Sequence, residues 1–151
     1  MYYVEQNNEI VLADNDFNRI NATLNFMPQY AGLEVQETNK DIVEYKGKFY
    51  FTDDEEYISR KAQDDAERLA KLSLTKREVF LALYRNKGIT PEQIKAQITN
   101  PEVLIEFEYA TDYFRGNPLI NQIGLMLGYS TEDLDYLFEH KELPTGEDND
   151  N

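Results

Sequence analysis

The stretch SLTKREVFLALYRNKGITPEQ, residues 73–93, predicts one complete helix and the start of a second. Thr75 is an N-cap candidate and Glu78 follows three residues later, so each side chain can bond the other's backbone N–H in a capping box. Leu74 precedes the cap and Val79 occupies the fourth helical position, which is the arrangement of a hydrophobic staple. The first helix is therefore predicted to begin after Thr75.

The same stretch also marks the helix face and the end of the helix. Helical spacing places one apolar stripe on Val79, Phe80, Leu83 and Tyr84. Gly88 can adopt the left-handed conformation that ends a helix. Thr90 offers a second cap, with Pro91 at the first helical position and Gln93 at the third. This part of the chain is thus predicted to be a set of short, well-capped helices.

The N-terminal third has a different pattern, which predicts a ββαβββ unit over residues 1–51. Two β-hairpins are expected at 1–13 and 42–51, because β-forming residues flank turn-like Gln6-Asn-Asn8 and Lys46-Gly47. Between them, a helix capped by Asp14 is predicted over 15–27, followed by an alternating strand over 33–38.

The remaining boundaries follow from caps and apolar stripes. A connecting helix is predicted over 52–74, capped by Thr52 and with a stripe on Ile58, Ala62, Ala66, Leu69 and Leu72. A helical domain is predicted over 75–142, with a disordered acidic tail over 143–151. Within this domain, Ser130 is expected to cap the last helix, and Asn100-Pro101 to cap an earlier one whose inward face comprises Val103, Leu104, Phe107, Ala110 and Phe114. The predicted fold class is α+β: a small N-terminal antiparallel sheet with one helix, followed by a multi-helix C-terminal bundle.

Charge is unevenly distributed along the 151 residues, whose net charge is −14. Residues 101–151 alone carry 12 acidic and 2 basic groups. Direct nucleic-acid binding is therefore disfavoured, because it depends on Lys and Arg neutralising phosphates. The acidity is typical of a solubilising surface, and it also fits a surface that competes with nucleic acid for a basic partner.

No signal peptide or apolar run long enough to span a bilayer is apparent, and cysteine is absent. We therefore expect a cytoplasmic protein with no cofactor and no membrane partner. Catalytic motifs are also missing. Asp14-Asn-Asp16-Phe-Asn18 imitates the start of an EF-hand loop, but Arg19 and Asn25 occupy the positions that require Gly and Glu. His140 is the only histidine, so we expect neither a metal site nor an enzyme.

Residues 120–138 have the outline of a helix-turn-helix. Its second helix carries Glu132, Asp133, Asp135 and Glu139, which phosphates would repel, so a packed αα-corner is the preferred interpretation.

A cluster of aromatic residues supplies the candidate binding site. Five residues of the acidic C-terminal third are predicted to form a protein-binding face: Tyr109, Tyr113, Arg115, Tyr129 and Tyr136. Tyr and Arg are enriched at interface hot spots. The alternative is that these residues form part of a core with an amphipathic rim, because Tyr is often partly buried.

Part of the N-terminal sequence resembles the opening of small proteins from bacteriophage and prophage gene clusters. The resemblance lies in residues 9–14 (EIVLAD), 26–30 (FMPQY) and 33–38 (LEVQET). Residues 73–140 resemble the compact helical part of these proteins. The resemblance implies an accessory role in the tail module, as an assembly factor or chaperone that binds a phage structural protein or a host protein. It also implies that the expected cytoplasmic location is the host-cell cytoplasm, and it transfers no functional residue. The alternative function is an acidic inhibitor of a host nucleic-acid-binding defence enzyme, of the anti-restriction or anti-CRISPR type.

Overall fold

The computed structural model describes residues 1–146. It confirms the predicted α+β class: a five-stranded antiparallel sheet with a helix is followed by a mostly helical region. The chain divides between Gln63 and Asp64 into two compact units, which are described separately below.

The first unit is built on two tight hairpins. Its elements are β1 (Tyr2–Gln6), β2 (Glu9–Asp14), α1 (Phe17–Phe26), a 3₁₀ turn (Pro28–Tyr30), β3 (Gln36–Glu37), β4 (Ile42–Tyr45) and β5 (Lys48–Phe51). The strand order is β3-β1-β2-β5-β4. Asn7-Asn8 and Lys46-Gly47 have positive φ at both positions, as the two-residue turns that match strand twist require. Val4, Ile20 and Leu24 form the centre of the core between sheet and α1.

Two details of this unit differ from the prediction. The helix α1 is capped by Asp16, whose carboxylate accepts from the N–H of Asn18 and Arg19, and not by Asp14. Asp14 instead ends β2 and pairs with Arg19, whose guanidinium lowers the pKa of that carboxyl. The strand predicted over 33–38 shortens to β3, because only Gln36–Glu37 pairs with β1.

The connecting helix is present as α2 (Glu55–Ala70), and it differs from the prediction in its cap and in its burial. Asp54, not Thr52, accepts hydrogen bonds from the N–H of Glu56 and Tyr57 in its first turn. No residue of α2 is buried, and Ile58, Ala62 and Ala66 of the predicted stripe are exposed. The end of the stripe is partly covered: Leu69 is half-buried, and Leu72, just beyond the helix, packs against the core of the second unit.

The second unit contains five further helices and a pair of short strands. They are β6 (Ser73–Thr75), α3 (Lys76–Lys87), α4 (Pro91–Gln97), α5 (Pro101–Tyr109), β7 (Asp112–Phe114), α6 (Pro118–Met126) and α7 (Thr131–His140). Capping boxes begin α3, α4 and α7, at Thr75, Thr90 and Ser130. Gly88 ends α3 with φ +66°, as predicted. The apolar face of α3 is formed by Val79, Ala82 and Leu83, whereas Tyr84 is exposed and Phe80 only half-buried.

The antiparallel pair β6–β7 was not predicted. Leu74 lies opposite Tyr113, and both side chains are buried. The pairing ends α5 at Tyr109, so Phe114, which was predicted to continue the inward face of that helix, lies in a strand and is half-exposed.

The C-terminal boundary also needs a correction. The acidic tail was predicted to begin at residue 143, but Leu143 is buried in the core of the second unit. The carbonyl of Pro144 accepts a hydrogen bond from Asn86 on α3 at 3.2 Å. The rest of the predicted tail, residues 147–151, lies outside the described residues.

Candidate protein-binding surface

The five predicted binding residues do not form one surface. Tyr109 is 78% exposed at the end of α5, and Tyr136 is 38% exposed on α7. Tyr113, Arg115 and Tyr129 are all buried. A partner can therefore reach two of the five side chains, and the other three belong to the interior of the unit.

Tyr113 stabilises the junction of α5 and β7. Its hydroxyl donates a hydrogen bond to the backbone carbonyl of Phe107 at 2.9 Å, and the two rings stack with centroids 6.5 Å apart. Burial raises the pKa of Tyr113 to about 12, because the phenolate would lose its hydration. The position of Tyr113 is that of a core residue with a satisfied polar end.

Arg115 connects β7 to α6 and α7. Its guanidinium donates to Asp135 at 2.7 Å, to the side-chain oxygen of Asn121 at 2.9 Å and to the carbonyl of Thr131 at 3.3 Å. Among residues 1–146 it is the one charged side chain that is buried. With its donors directed inwards in this way, Arg115 has a structural role.

Tyr129 belongs to a second, partly buried polar network. Its hydroxyl donates to Asn86 Oδ1 at 2.8 Å, and the amide group of Asn86 in turn donates to Pro144. The ammonium of Lys87 lies 4.2 Å from the ring centroid, within the range of a cation–π contact. Burial raises the pKa of Tyr129. Tyr129 thus fixes the segment after α7 to α3.

Most carboxylates of α7 form hydrogen bonds or ion pairs with residues of the same unit. Asp133 closes the capping box with Ser130, and Asp135 holds Arg115. Glu139 pairs with Arg68 at 3.1 Å. The exposed face of this helix therefore carries less unpaired negative charge than its sequence indicates.

An exposed apolar pair remains on α5. Ile105 is 57% exposed and lies one turn before Tyr109, so the two side chains share a face of the helix. The opposite face is packed into the core through Phe107. We call Ile105, Tyr109 and the neighbouring carboxylates Glu102 and Glu106 the α5 face; both carboxylates are exposed.

A groove of about 300 Å³ lies beside the last turn of α5, and Tyr109 forms part of its wall. Phe80 and Phe107, whose ring centroids are 5.5 Å apart, form its aromatic part. Lys76 lies over both rings and donates to the backbone carbonyl of Glu108 at 2.6 Å. The carboxylate of Glu108 pairs with Lys95 and raises the pKa of that lysine.

Sequence reasoning missed Ile105 and the groove, although one signal was available. Val103 and Phe107 recur at helical spacing, and a helical wheel drawn through them places Ile105 and Tyr109 on the far side. The predicted inward apolar face of this helix was instead extended through Ala110 to Phe114, beyond the end of α5 at Tyr109.

Within the described residues, neither a metal-binding cluster nor a membrane-spanning helix provides a further candidate site. Within residues 1–146, no three His, Asp or Glu side chains are grouped so that they could hold a metal ion. In the EF-hand-like segment, Asp14 and Asp16 bond Arg19 and the N-terminus of α1. None of the described helices is long and apolar enough to cross a bilayer.

No family model, curated protein or solved structure matches this chain.

Proposed function

We propose that this chain is a non-enzymatic, phage-type accessory protein that binds another protein, acting in tail assembly as an assembly factor or chaperone. The binding part of the proposal is supported by the α5 face and its groove. The phage part rests on the resemblance of residues 9–38 and 73–140 to small phage and prophage proteins.

The observation that carries the proposal is the exposure of Ile105 and Tyr109 together on one side of α5. Isolated apolar side chains are common on protein surfaces and need no explanation. Here an aliphatic and an aromatic side chain are neighbours on one helix, and an aromatic-floored groove adjoins them. Burying such an arrangement against a partner removes apolar area from water, which is the main driving force of protein association.

The inhibitor alternative has less support. It requires exposed carboxylates that imitate phosphates, and α7 carries four of the carboxylates of the acidic C-terminal third. Asp133, Asp135 and Glu139 each have a partner inside the unit, which leaves Glu132 as the α7 carboxylate without an ion pair or hydrogen bond in the described part of the chain.

The test is affinity capture of the full chain from phage-infected host cells, with the bound proteins identified by mass spectrometry. The affinity for the partner is then measured with purified proteins at low and high salt. We expect a phage tail protein as the partner, with binding that weakens but persists at high salt, because burial of apolar surface is not screened by ions.

Two substitutions separate the functions. Tyr109→Ala should weaken the complex by about tenfold or more, because tyrosine is enriched among the residues that dominate binding energy, whereas Glu132→Gln should leave it unchanged. Capture of a nucleic-acid-binding defence enzyme, with binding abolished by salt and by Glu132→Gln but insensitive to Tyr109→Ala, would instead establish the inhibitor.

A further inference from the structure

We propose that the α5 face receives a basic amphipathic helix of the partner protein, with one apolar side chain of that helix anchored in the adjoining groove. This inference rests on the proposed function and specifies the site and the chemistry of the partner.

The geometry of α5 places apolar and acidic side chains next to each other. Each residue advances a helix by about 100°, so Tyr109 lies about 40° around the axis from Ile105. Glu102 and Glu106 lie about 60° and 100° from Ile105 in the same direction. The α5 face is thus an apolar strip with a row of carboxylates along one side.

Glu102 and Glu106 differ from most of the carboxylates of α7, of which Glu132 alone lacks a partner in the described part of the chain. Neither Glu102 nor Glu106 forms an ion pair within residues 1–146, and both are exposed. In contrast, Glu108 in the same helix forms an ion pair with Lys95. The charge available to a partner at this surface is therefore negative, and it lies beside the apolar strip. A helix with Lys or Arg beside its own apolar face matches that pattern.

The groove adds an anchoring position. Binding clefts for whole small molecules range from about 300 to 1,000 Å³, and this groove is at the lower limit. It suits one apolar side chain of a larger partner. The formal charges of its lining cancel, because Lys76 and Lys95 are matched by Glu92 and Glu108. Lys95 is paired with Glu108, and the ammonium of Lys76 donates to a backbone carbonyl and lies over two aromatic rings. An apolar anchor therefore fits there better than a charged group.

Helix-in-groove recognition uses apolar anchors at positions i, i+3, i+4 and i+7. The probe is accordingly a synthetic amphipathic helix with Leu and Phe at those positions and Lys and Arg elsewhere. Two control peptides accompany it. In one, Glu replaces every Lys and Arg, and in the other the same residues are scrambled so that charge is kept and the apolar face is lost.

Binding is measured by titrating each labelled peptide with the full chain and following fluorescence anisotropy. We expect the basic amphipathic peptide to bind more tightly than either control by about tenfold or more. Tyr109→Ala and Ile105→Ala should each reduce this binding, and the double substitution Glu102→Gln/Glu106→Gln should reduce it several-fold and flatten its salt dependence. Leu125→Ala on α6 and Glu132→Gln on α7 are the matched apolar and acidic controls, since both residues are exposed and neither lines the groove.

Equal binding of the scrambled peptide would show non-specific attraction to a protein of charge −14 and would overturn the inference. Tighter binding of the Glu peptide would overturn it as well, since the groove lysines would then recruit an acidic partner. If a captured partner is retained by the Ile105→Ala/Tyr109→Ala chain, the site is wrong and the proposed function stands. Specific peptide binding without any captured partner would support the surface and contradict the function.

Discussion

Replacing Gly124 by alanine is expected to destabilise the second unit, although alanine is the better helix former. Gly124 lies within α6 and is buried where this helix meets α7. A Cβ atom built at this position would lie 2.5 Å and 2.9 Å from the two Cδ atoms of Leu134 and 3.1 Å from its Cγ. Leu134 is itself buried, so its side chain cannot move away into solvent.

Two opposing contributions set the magnitude. Exchanging glycine for alanine inside a helix is favourable by about 1 kcal/mol. Forcing an extra methyl group into a packed core typically costs about 1–3 kcal/mol. At contacts this short we expect the upper part of that range, and a net loss of about 1–2 kcal/mol in the free energy of unfolding.

The overlap can be isolated by a double-mutant cycle. Leu134→Ala alone should cost about 2–5 kcal/mol, because it leaves a cavity. In that background the added methyl group meets open space, so Gly124→Ala should become stabilising by up to about 1 kcal/mol. This reversal of sign identifies the Leu134 contact as the cause.

The assay is urea unfolding followed by far-UV circular dichroism and tyrosine fluorescence, since the chain has 11 Tyr and no Trp. Coincident transitions justify a two-state fit. Gln122→Ala, an exposed substitution in the same helix, should stay within about 0.5 kcal/mol of the wild type. A neutral or stabilising Gly124→Ala in the wild-type background would refute the close approach of α6 and α7.

Three further predictions concern the cap of α3 and the ion pair between Arg115 and Asp135. Thr75→Ala should lower the free energy of unfolding by about 1 kcal/mol through the lost cap of α3, measured by urea unfolding at neutral pH. Lys141 and Thr75 hold the pKa of Glu78 at about 2, below its ordinary value of 4.5. The stabilisation is therefore complete above pH 4.5 and is lost as the pH falls from 4.5 to 2, and Glu78→Gln should flatten that part of a stability–pH curve. Asp135→Ala should cost about 1–3 kcal/mol, because it removes the counter-charge of the buried Arg115 guanidinium and leaves that group with its hydrogen bonds to Asn121 and Thr131. Arg115→Met, which removes the buried charge itself, should cost less in the same unfolding assay, and the reverse order would contradict the argument.

Local signals in the sequence were sufficient to predict where several of the helices begin. The caps at Thr75, Thr90 and Ser130 were read correctly, because each capping box depends on two residues three positions apart. The caps at Asp16 and Asp54 were not predicted. In each case the prediction placed the cap on a polar residue two positions earlier, Asp14 or Thr52. In both segments several residues could serve as the cap, and the choice depends on where the preceding strand ends.

The candidate site was harder to predict, because burial depends on distant parts of the chain. Tyr113 is buried because β7 pairs with β6, about 40 positions earlier in the sequence. A strand of three residues has no periodicity that could reveal this pairing. Without it, Asp112–Phe114 was interpreted as the continuation of a helix, and Tyr113 as an aromatic group available to a partner.

The burial of Tyr113, Arg115 and Tyr129 changes how mutational data on binding should be interpreted. An alanine scan over the five predicted residues would find losses at Tyr113, Arg115 and Tyr129, because these substitutions remove buried contacts or strand buried polar groups. A misfolded chain binds no partner, so such losses would imitate a hot spot. Tyr109 is different: its side chain is mostly exposed, so its removal should leave the unfolding curve unchanged. A substitution at Tyr109 that weakens binding without lowering stability is therefore the result that identifies a contact surface, and stability must be measured for every variant before its affinity is interpreted.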